Sequence, residues 1–323
     1  MSSGESSDLL VVTGRANPTL ATRIAEALGI QLGGLDIERF PDGEIFCRYR
    51  DNVRGRDLFI VQPTCPPPNE NLMELLILLD AARRASAQRI TAVLPFFGYA
   101  RQDRKAQPRV PITAKLVANL LVAAGAERIL CVDLHAQQIQ GFFDIPMDHL
   151  YAAPVIVGYL RTKELEPLTV VSPDPGGLKM AHAYSNLLKA GLAIVAKRRV
   201  NATEVESSHL VGAVEGRNVV IVDDLTSTAG TLCSAAELVR EHGARRIVAA
   251  VSHAIITPEG AARLRGSAID ELVTTDTTPV AVPDGLRVTV LTVSHLLAEA
   301  IRRIHRAESV SSLFDIPAQP KTV

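Results

Sequence analysis

The sequence predicts an α/β protein, with mainly parallel sheets flanked by helices, in two related domains. Short apolar runs alternate with amphipathic stretches along nearly the whole chain. The runs are rich in Val, Ile and Leu and lack strict alternation, as expected of strands covered on both faces. Part of the pattern also repeats at an offset of 118 residues. A helix from Thr113 ends at Gly125-Ala-Glu-Arg-Ile129, before a strand leading to His135. A helix from Thr231 ends at Gly243-Ala-Arg-Arg-Ile247, before a strand leading to His253. We read this echo as a doubled fold.

Taken in order, the apolar run at 8–13 is a strand, and the helical periodicity at 19–28 makes a helix after it. The run at 57–62 is the next strand. The stretch 69–85 follows the stiff Pro66-Pro-Pro68 connector and reads as a helix with Leu72–Leu79 on its buried face. Strand 89–94, helix 112–124 and strand 128–132 complete the first half. The second half runs strand 168–171, helix 177–188, strand 193–196, strand 218–222, helix 231–242, strand 246–251, helix 258–265 and strand 271–274. Strands separated by helices in this way form βαβ units with parallel pairing.

At 323 residues the chain is long enough for about two domains. A boundary near 150 fits Pro146-Met-Asp-His-Leu-Tyr-Ala-Ala-Pro154. The expected domains are 1–150 and 151–305. The polar segment 306–323 carries Leu313-Phe314 and reads as a piece that docks back on the first domain. Hydrophobic residues make up 47% and charged residues 21%, a globular composition. Lys plus Arg is 34 and Asp plus Glu is 35, so the net charge is −1 and a nucleic-acid coat is not expected. No apolar run reaches a membrane span, and the start lacks a signal-peptide pattern. Cys47, Cys65, Cys131 and Cys233 are scattered, which suits a reducing cytoplasm and neither a disulfide frame nor a zinc site.

The sharpest chemistry lies at Asn218-Val-Val-Ile-Val-Asp-Asp-Leu-Thr-Ser-Thr-Ala-Gly-Thr231. An apolar strand delivers Asp223 and Asp224 to its carboxyl end, where ligands bind in open α/β sheets. Ser227, Thr228, Ala229, Gly230 and Thr231 then form a hydroxyl-rich loop entering a helix N-terminus, an anion cradle. Two carboxylates repel a bare phosphate, so they must hold sugar hydroxyls or a cation beside it. The segment therefore suggests a sugar phosphate. Phe40, Asp42, Gly43 and Glu44 offer an aromatic face and acceptors suited to an adenine, and Pro41-Asp-Gly43 is also a strong turn signal. Arg101, Gln102 and Asp103 begin a charged segment that suits a nucleotide or, more plainly, a solvated loop. His135 and Asp174 both follow apolar strands, and Asp174 is a natural Mg²⁺ ligand. Lys197-Arg-Arg199 is a cationic cluster at the root of a weakly periodic stretch, 200–209, read as a loop. His149, His182, His242 and His253 receive no role. Neither a Walker nor a dinucleotide glycine motif occurs.

The 218–231 segment resembles the phosphoribosyl-binding motif of the type I phosphoribosyltransferase fold. Further motifs narrow the resemblance to the ribose-phosphate diphosphokinase family: Arg39-Phe-Pro-Asp-Gly-Glu44, Gly98-Tyr-Ala-Arg-Gln-Asp-Arg-Lys105, Pro111-Ile-Thr-Ala-Lys115, Asp133-Leu-His-Ala136, Gln138-Ile-Gln-Gly-Phe-Phe-Asp144, Ser172-Pro-Asp174 and Lys197-Arg-Arg199. The resemblance covers about residues 8–316. It implies transfer of the diphosphate of ATP to ribose 5-phosphate, giving phosphoribosyl pyrophosphate and AMP. It also implies ATP on Asp42–Glu44 and Arg101–Gln102, Mg²⁺ at His135 and Asp174, and catalytic Lys197 and Arg199, with Arg199 also touching the sugar phosphate. It implies a homo-oligomer, commonly a hexamer, with inorganic phosphate and ADP as regulators.

Three positions depart from the family pattern. Ser227 stands where Asp is usual, Pro175 where His is usual, and Gln107 where bacterial relatives carry Arg. Three other readings are a non-catalytic regulatory subunit, a phosphoribosyltransferase, and a diphosphokinase for another sugar phosphate.

Overall fold

The computed structural model describes residues 8–198, 207–282 and 284–314, which divide into two compact units. The first holds the chain up to Tyr151, the piece Thr277–Pro279 and the stretch from Thr292 to 314. The second holds Ala152–Asp276 and Val280–Leu291.

The first unit runs β1 (Leu9–Thr13), α1 (Pro18–Leu28), β2 (Leu35–Arg39), β3 (Ile45–Tyr49), β4 (Asp57–Val61), α2 (Pro68–Arg84), β5 (Arg89–Leu94), α3 (Thr113–Ala124), β6 (Arg128–Val132) and β7 (Met147–Leu150). Its sheet has the order β1-β4-β5-β6-β7, every pair parallel. All five residues of β4 are buried, which is why its sequence shows no alternation. Leu58 and Ile60 join a core with Leu75, Leu78 and Leu79 of α2 and Val117 and Leu121 of α3. Phe59 and Val61 are buried as well.

Strands β2 and β3 form a separate antiparallel hairpin that the sequence reading did not anticipate. It leans on α2, with the Tyr49 hydroxyl donating to the Leu78 carbonyl at 2.9 Å.

The second unit runs α4 (Ala153–Leu160), β8 (Leu168–Ser172), α5 (Leu178–Leu188), β9 (Gly191–Arg198), β10 (Ser207–Val211), β11 (Asn218–Thr226), α6 (Gly230–Glu241), β12 (Ile247–Ala254), α7 (Pro258–Arg265), β13 (Glu271–Thr275) and β14 (Val288–Leu291). The strand order is β10-β9-β8-β11-β12-β13-β14, parallel throughout except for β10 against β9. Its core gathers Val171, Val219 and Ile221 with Leu232, Ala236 and Val239 of α6 and Leu264 of α7. The expected loop at 200–209 is partly strand. Ser207–Val211 pairs with β9, while 199–206 lie outside the described residues.

Two further expectations change. The expected second domain runs to 305, but its last residues form an unanticipated helix, α8 (Ser294–His305), that packs in the first unit. Its Arg302 guanidinium donates to the Ala27 carbonyl of α1 at 3.3 Å. The described part of the expected docking piece, 306–314, belongs to the same unit.

The 118-residue echo also pairs the wrong elements. It aligns α3–β6 with α6–β12. Counted from the far edge, however, β6 is second and β12 is third. The topological counterpart of β11–α6 is β4–α2. The two folds are related, and the echo reflects the shared way that helices of such units end and strands begin.

Candidate active site

In the second unit, β8 sits between β9 and β11, with all three parallel. The chain leaves β8 toward β9 on one side and later returns to β11 on the other. That reversal opens a crevice at the carboxyl ends of β8 and β11, where such sheets bind ligands. The register pairs Ser172 with Ile194, so Lys197 lies farther along β9 at this same end. The antiparallel partner of Lys197 is Ser208. Asp174, Lys197, the Asp223–Asp224 pair and the 227–231 loop thus share one end of one sheet. Arg199 lies outside the described residues.

Asp174 follows β8 and caps a short 3-10 turn, Pro175–Gly177. Its Oδ1 accepts from the Gly177 amide at 3.1 Å. Pro175 stands at the first position of that turn, where an amide would find no internal partner in any case. The departure from His therefore does not disturb the backbone.

Asp223 and Asp224 stand at the end of the buried part of β11. The Asp224 amide donates to Asp223 Oδ1 at 2.9 Å. Burial, then the charge of Asp224, pushes the Asp223 carboxyl up to about 8, and Asp174 adds to the rise. The carboxylates are a site arranged for groups that donate hydrogen bonds or carry positive charge.

The loop beyond them turns into α6 through Ala229, which is left-handed with φ 56°. Among the described residues, the amides of Thr228, Ala229 and Gly230 donate to no protein acceptor. Together with the helix N-terminus they form an anion nest.

The equivalent crevice of the first unit, between β1 and β4, is filled. Glu74 of α2 is 2% exposed and accepts from the Arg15 amide at 2.6 Å, Arg15 Nε at 2.7 Å and Gln62 Nε2 at 3.0 Å. A β-carbon on Gly14 would lie 2.3 Å from Gln62 Oε1. Side chains occupy the position that the loop leaves open in the second unit.

Other expected residues of the first unit lie elsewhere. Phe40, Asp42, Gly43 and Glu44 form the tip of the β2–β3 hairpin. Phe40 is 49% exposed and packs beside Phe46, with ring centroids 5.9 Å apart. Gly43 has φ 98° and its amide donates to the Phe40 carbonyl at 2.8 Å, so the turn reading of this segment holds. An ion pair between Arg39 and Glu70 ties the hairpin to α2.

Arg101, Gln102 and Asp103 belong to the long connection after β5. The Thr113 hydroxyl donates to Gln102 Oε1 at 2.5 Å, and Gln138 Nε2 donates to Asp103 Oδ2 at 2.6 Å. The second bond links this segment to the turn just after His135, at the end of neighbouring β6. Among the described residues, no hydrogen bond or ion pair joins 101–103 to the hairpin tip.

His135 is exposed, past Asp133, whose φ is 37°. The sequence reading missed what holds this turn. Buried His149 accepts from the Leu134 amide through Nε2 at 2.9 Å. A histidine on a short strand beside an apolar run was the only signal available for it.

Among the described residues no three His, Cys, Asp or Glu side chains gather to hold a metal ion. Asp174 keeps one carboxylate oxygen beyond its cap bond. This suits Mg²⁺, which takes one or two protein oxygens together with substrate phosphates.

Comparison with known proteins matches residues 9–125 to the N-terminal domain of ribose phosphate pyrophosphokinase and residues 199–315 to the phosphoribosyl synthetase-associated domain. The ribose-phosphate pyrophosphokinase of Neisseria meningitidis serogroup A is 51% identical over 310 residues, 95% of each chain. The chain belongs to the ribose-phosphate pyrophosphokinase family. The family member from Rhodopirellula baltica is 51% identical over 311 residues, 95% of this chain and 98% of that one. A crystal structure of phosphoribosylpyrophosphate synthetase from Mycobacterium smegmatis aligns with a TM-score of 0.88 at 40% identity, covering 93% of this chain and 100% of the other. No helix among the described residues is long and apolar enough to cross a membrane.

Proposed function

We infer that this chain transfers the diphosphate of ATP to the 1-hydroxyl of ribose 5-phosphate, releasing AMP and phosphoribosyl pyrophosphate. The observation that carries the reading is the crevice at the ends of β8 and β11. There an open amide nest stands next to two adjacent carboxylates. The nest suits the 5-phosphate and the carboxylates suit the ribose hydroxyls. Family membership supplies the second substrate.

In the step itself, the sugar O1 attacks the β-phosphorus of ATP. The bond from that phosphorus to the oxygen of the α-phosphate breaks, AMP leaves, and the hydroxyl proton is lost to solvent or base. Such transfer depends on positioning and charge neutralisation. Lys197 and Arg199, by the family resemblance, stabilise the charge on the moving group. Mg²⁺ fits Asp174, the family resemblance adds His135, and when bound the ion would supply countercharge to the phosphates. ATP is expected on Phe40, Asp42, Gly43, Glu44, Arg101, Gln102 and Asp103. A homo-oligomer regulated by inorganic phosphate and ADP belongs to the same reading.

The test is AMP release from ATP by purified protein with Mg²⁺ and inorganic phosphate, with and without ribose 5-phosphate. The expected result is AMP only with the sugar, matched one for one by phosphoribosyl pyrophosphate. AMP without the sugar, or none from folded protein that binds ATP, contradicts it.

A further inference from the structure

One short helix behind the phosphate loop holds the loop's carbonyls. Thr257 caps α7, its hydroxyl accepting from the Gly260 amide at 3.1 Å. The same hydroxyl donates to the Ser227 carbonyl at 3.4 Å, and the Thr257 amide donates to that oxygen at 3.2 Å. Gly260 lets the helix come this close, since a β-carbon there would lie 2.2 Å from the Ser227 oxygen. One turn on, Arg263 Nη1 donates to the Thr228 carbonyl at 3.2 Å. Glu259 pairs with the same guanidinium at 2.6 Å.

The Ser227 and Thr228 carbonyls therefore both point toward α7. In a trans peptide the carbonyl and the next amide point in opposite directions. The amides of Thr228 and Ala229 are thereby turned away from α7, and neither meets a protein acceptor among the described residues. Ala229 is left-handed, the conformation that lets successive amides converge in a nest.

We propose that Thr257, Gly260 and Arg263 are positioning residues for the 5-phosphate subsite, holding two loop carbonyls so that the amides across the same peptides face the anion. The proposal rests on the ribose-phosphate reading above. It also explains how Ser227 is accommodated where Asp is usual, because α7 grips the carbonyl of that residue and not its side chain.

The test compares Thr257→Val, Thr257→Ser and Arg263→Met with the parent, each first shown to melt cooperatively. Thr257→Val and Arg263→Met are expected to raise KM for ribose 5-phosphate about tenfold or more, as misaligned amide bonds to a charged group would. KM for ATP and kcat at saturating sugar phosphate stay within about twofold, and Thr257→Ser behaves like the parent. An unchanged KM for ribose 5-phosphate in both disruptive variants overturns the proposal. So does an equal rise in KM for ATP. If the parent does not use ribose 5-phosphate at all, the substrate reading has failed. Calorimetric binding of inorganic phosphate to the same proteins then decides the positioning role, with weaker binding in Arg263→Met supporting it and equal binding overturning it.

Discussion

Asp223 shows what a single residue contributes beyond its motif. Its place at a strand end was legible in the sequence, because an apolar run stops at two acids. Its protonation was not, because that depends on burial and on the nearby charges of Asp224 and Asp174. With its carboxyl pushed up to about 8, Asp223 stays largely protonated in the folded protein at neutral pH. Its effect on stability is fully present below the ordinary carboxylate range and is lost as pH rises through about 8. Across that window the loss is on the order of 1 kcal/mol per pH unit. Asp223→Asn should remove this slope, so denaturant titrations should show the variant gaining on the parent between pH 5 and about 8. Parallel curves would contradict it. The same substitution should weaken ribose 5-phosphate binding, since an amide cannot ionise to take up the sugar hydroxyls as a carboxylate does. His149 makes a related point, because its bond to the Leu134 amide links residues 15 apart and leaves no mark on either segment alone.

At the scale of elements, the strands read correctly were those buried on both faces, such as β4 and β5. Their apolar runs need no partner to be recognised. The missed ones are half-exposed or at edges. Strands β2 and β3 alternate around a Pro-Asp-Gly turn, and the turn signal is plain in the sequence while its short, partly exposed arms are not. Strand β10 begins Ser-Ser-His and exists because β9 offers it a ladder. Helix α4 is rich in valine and isoleucine and carries Gly158, so its local preference is not helical.

Helix α4 is tied to the sheet at Glu271, the first residue of β13 and 1% exposed. The Tyr159 hydroxyl donates to it at 2.5 Å and the Thr289 hydroxyl at 3.0 Å, while Arg246 pairs at 2.9 Å and Lys163 at 3.4 Å. Burial pushes this carboxyl up, but the two hydroxyl bonds and then Lys163 and Arg287 bring it below the usual range. Its stabilisation is therefore present above the ordinary glutamate pKa and lost as pH falls through the lower folded value. Glu271→Gln leaves Lys163 and Arg246 without their countercharge and should cost roughly 2–4 kcal/mol near neutral pH. The deficit relative to the parent should shrink in acid. A variant that melts with the parent at pH 7 would show that the cluster contributes nothing net.

At the scale of the whole molecule, the chain does not finish the first unit before starting the second. It leaves at Tyr151, touches back at Thr277–Pro279 and returns at Thr292 with α8, whose Leu297, Ala298, Ala300, Ile301 and Ile304 are all buried. The end of this helix is fastened to the starts of β4 and β5. Asp57 accepts from Arg89 Nε at 2.7 Å and meets the His305 ring at 2.7 Å, and Arg89 also donates to the Ile304 carbonyl at 3.2 Å. No reading that cut the chain into consecutive domains could place this helix, although its apolar periodicity is plain. What decides its partner is the buried face that α1 leaves uncovered without it. A fragment ending at 151 should therefore fail to fold cooperatively, despite holding the whole five-stranded sheet. Adding a peptide of residues 292–314 should restore a cooperative melt, because it returns the missing apolar face and the Arg89 acceptors together. Within the full chain, Ile301→Ala should cost about 3 kcal/mol. A fragment ending at 151 that melts as sharply as the parent, unaided, would show that α8 is an accessory and that the first unit is complete in sequence.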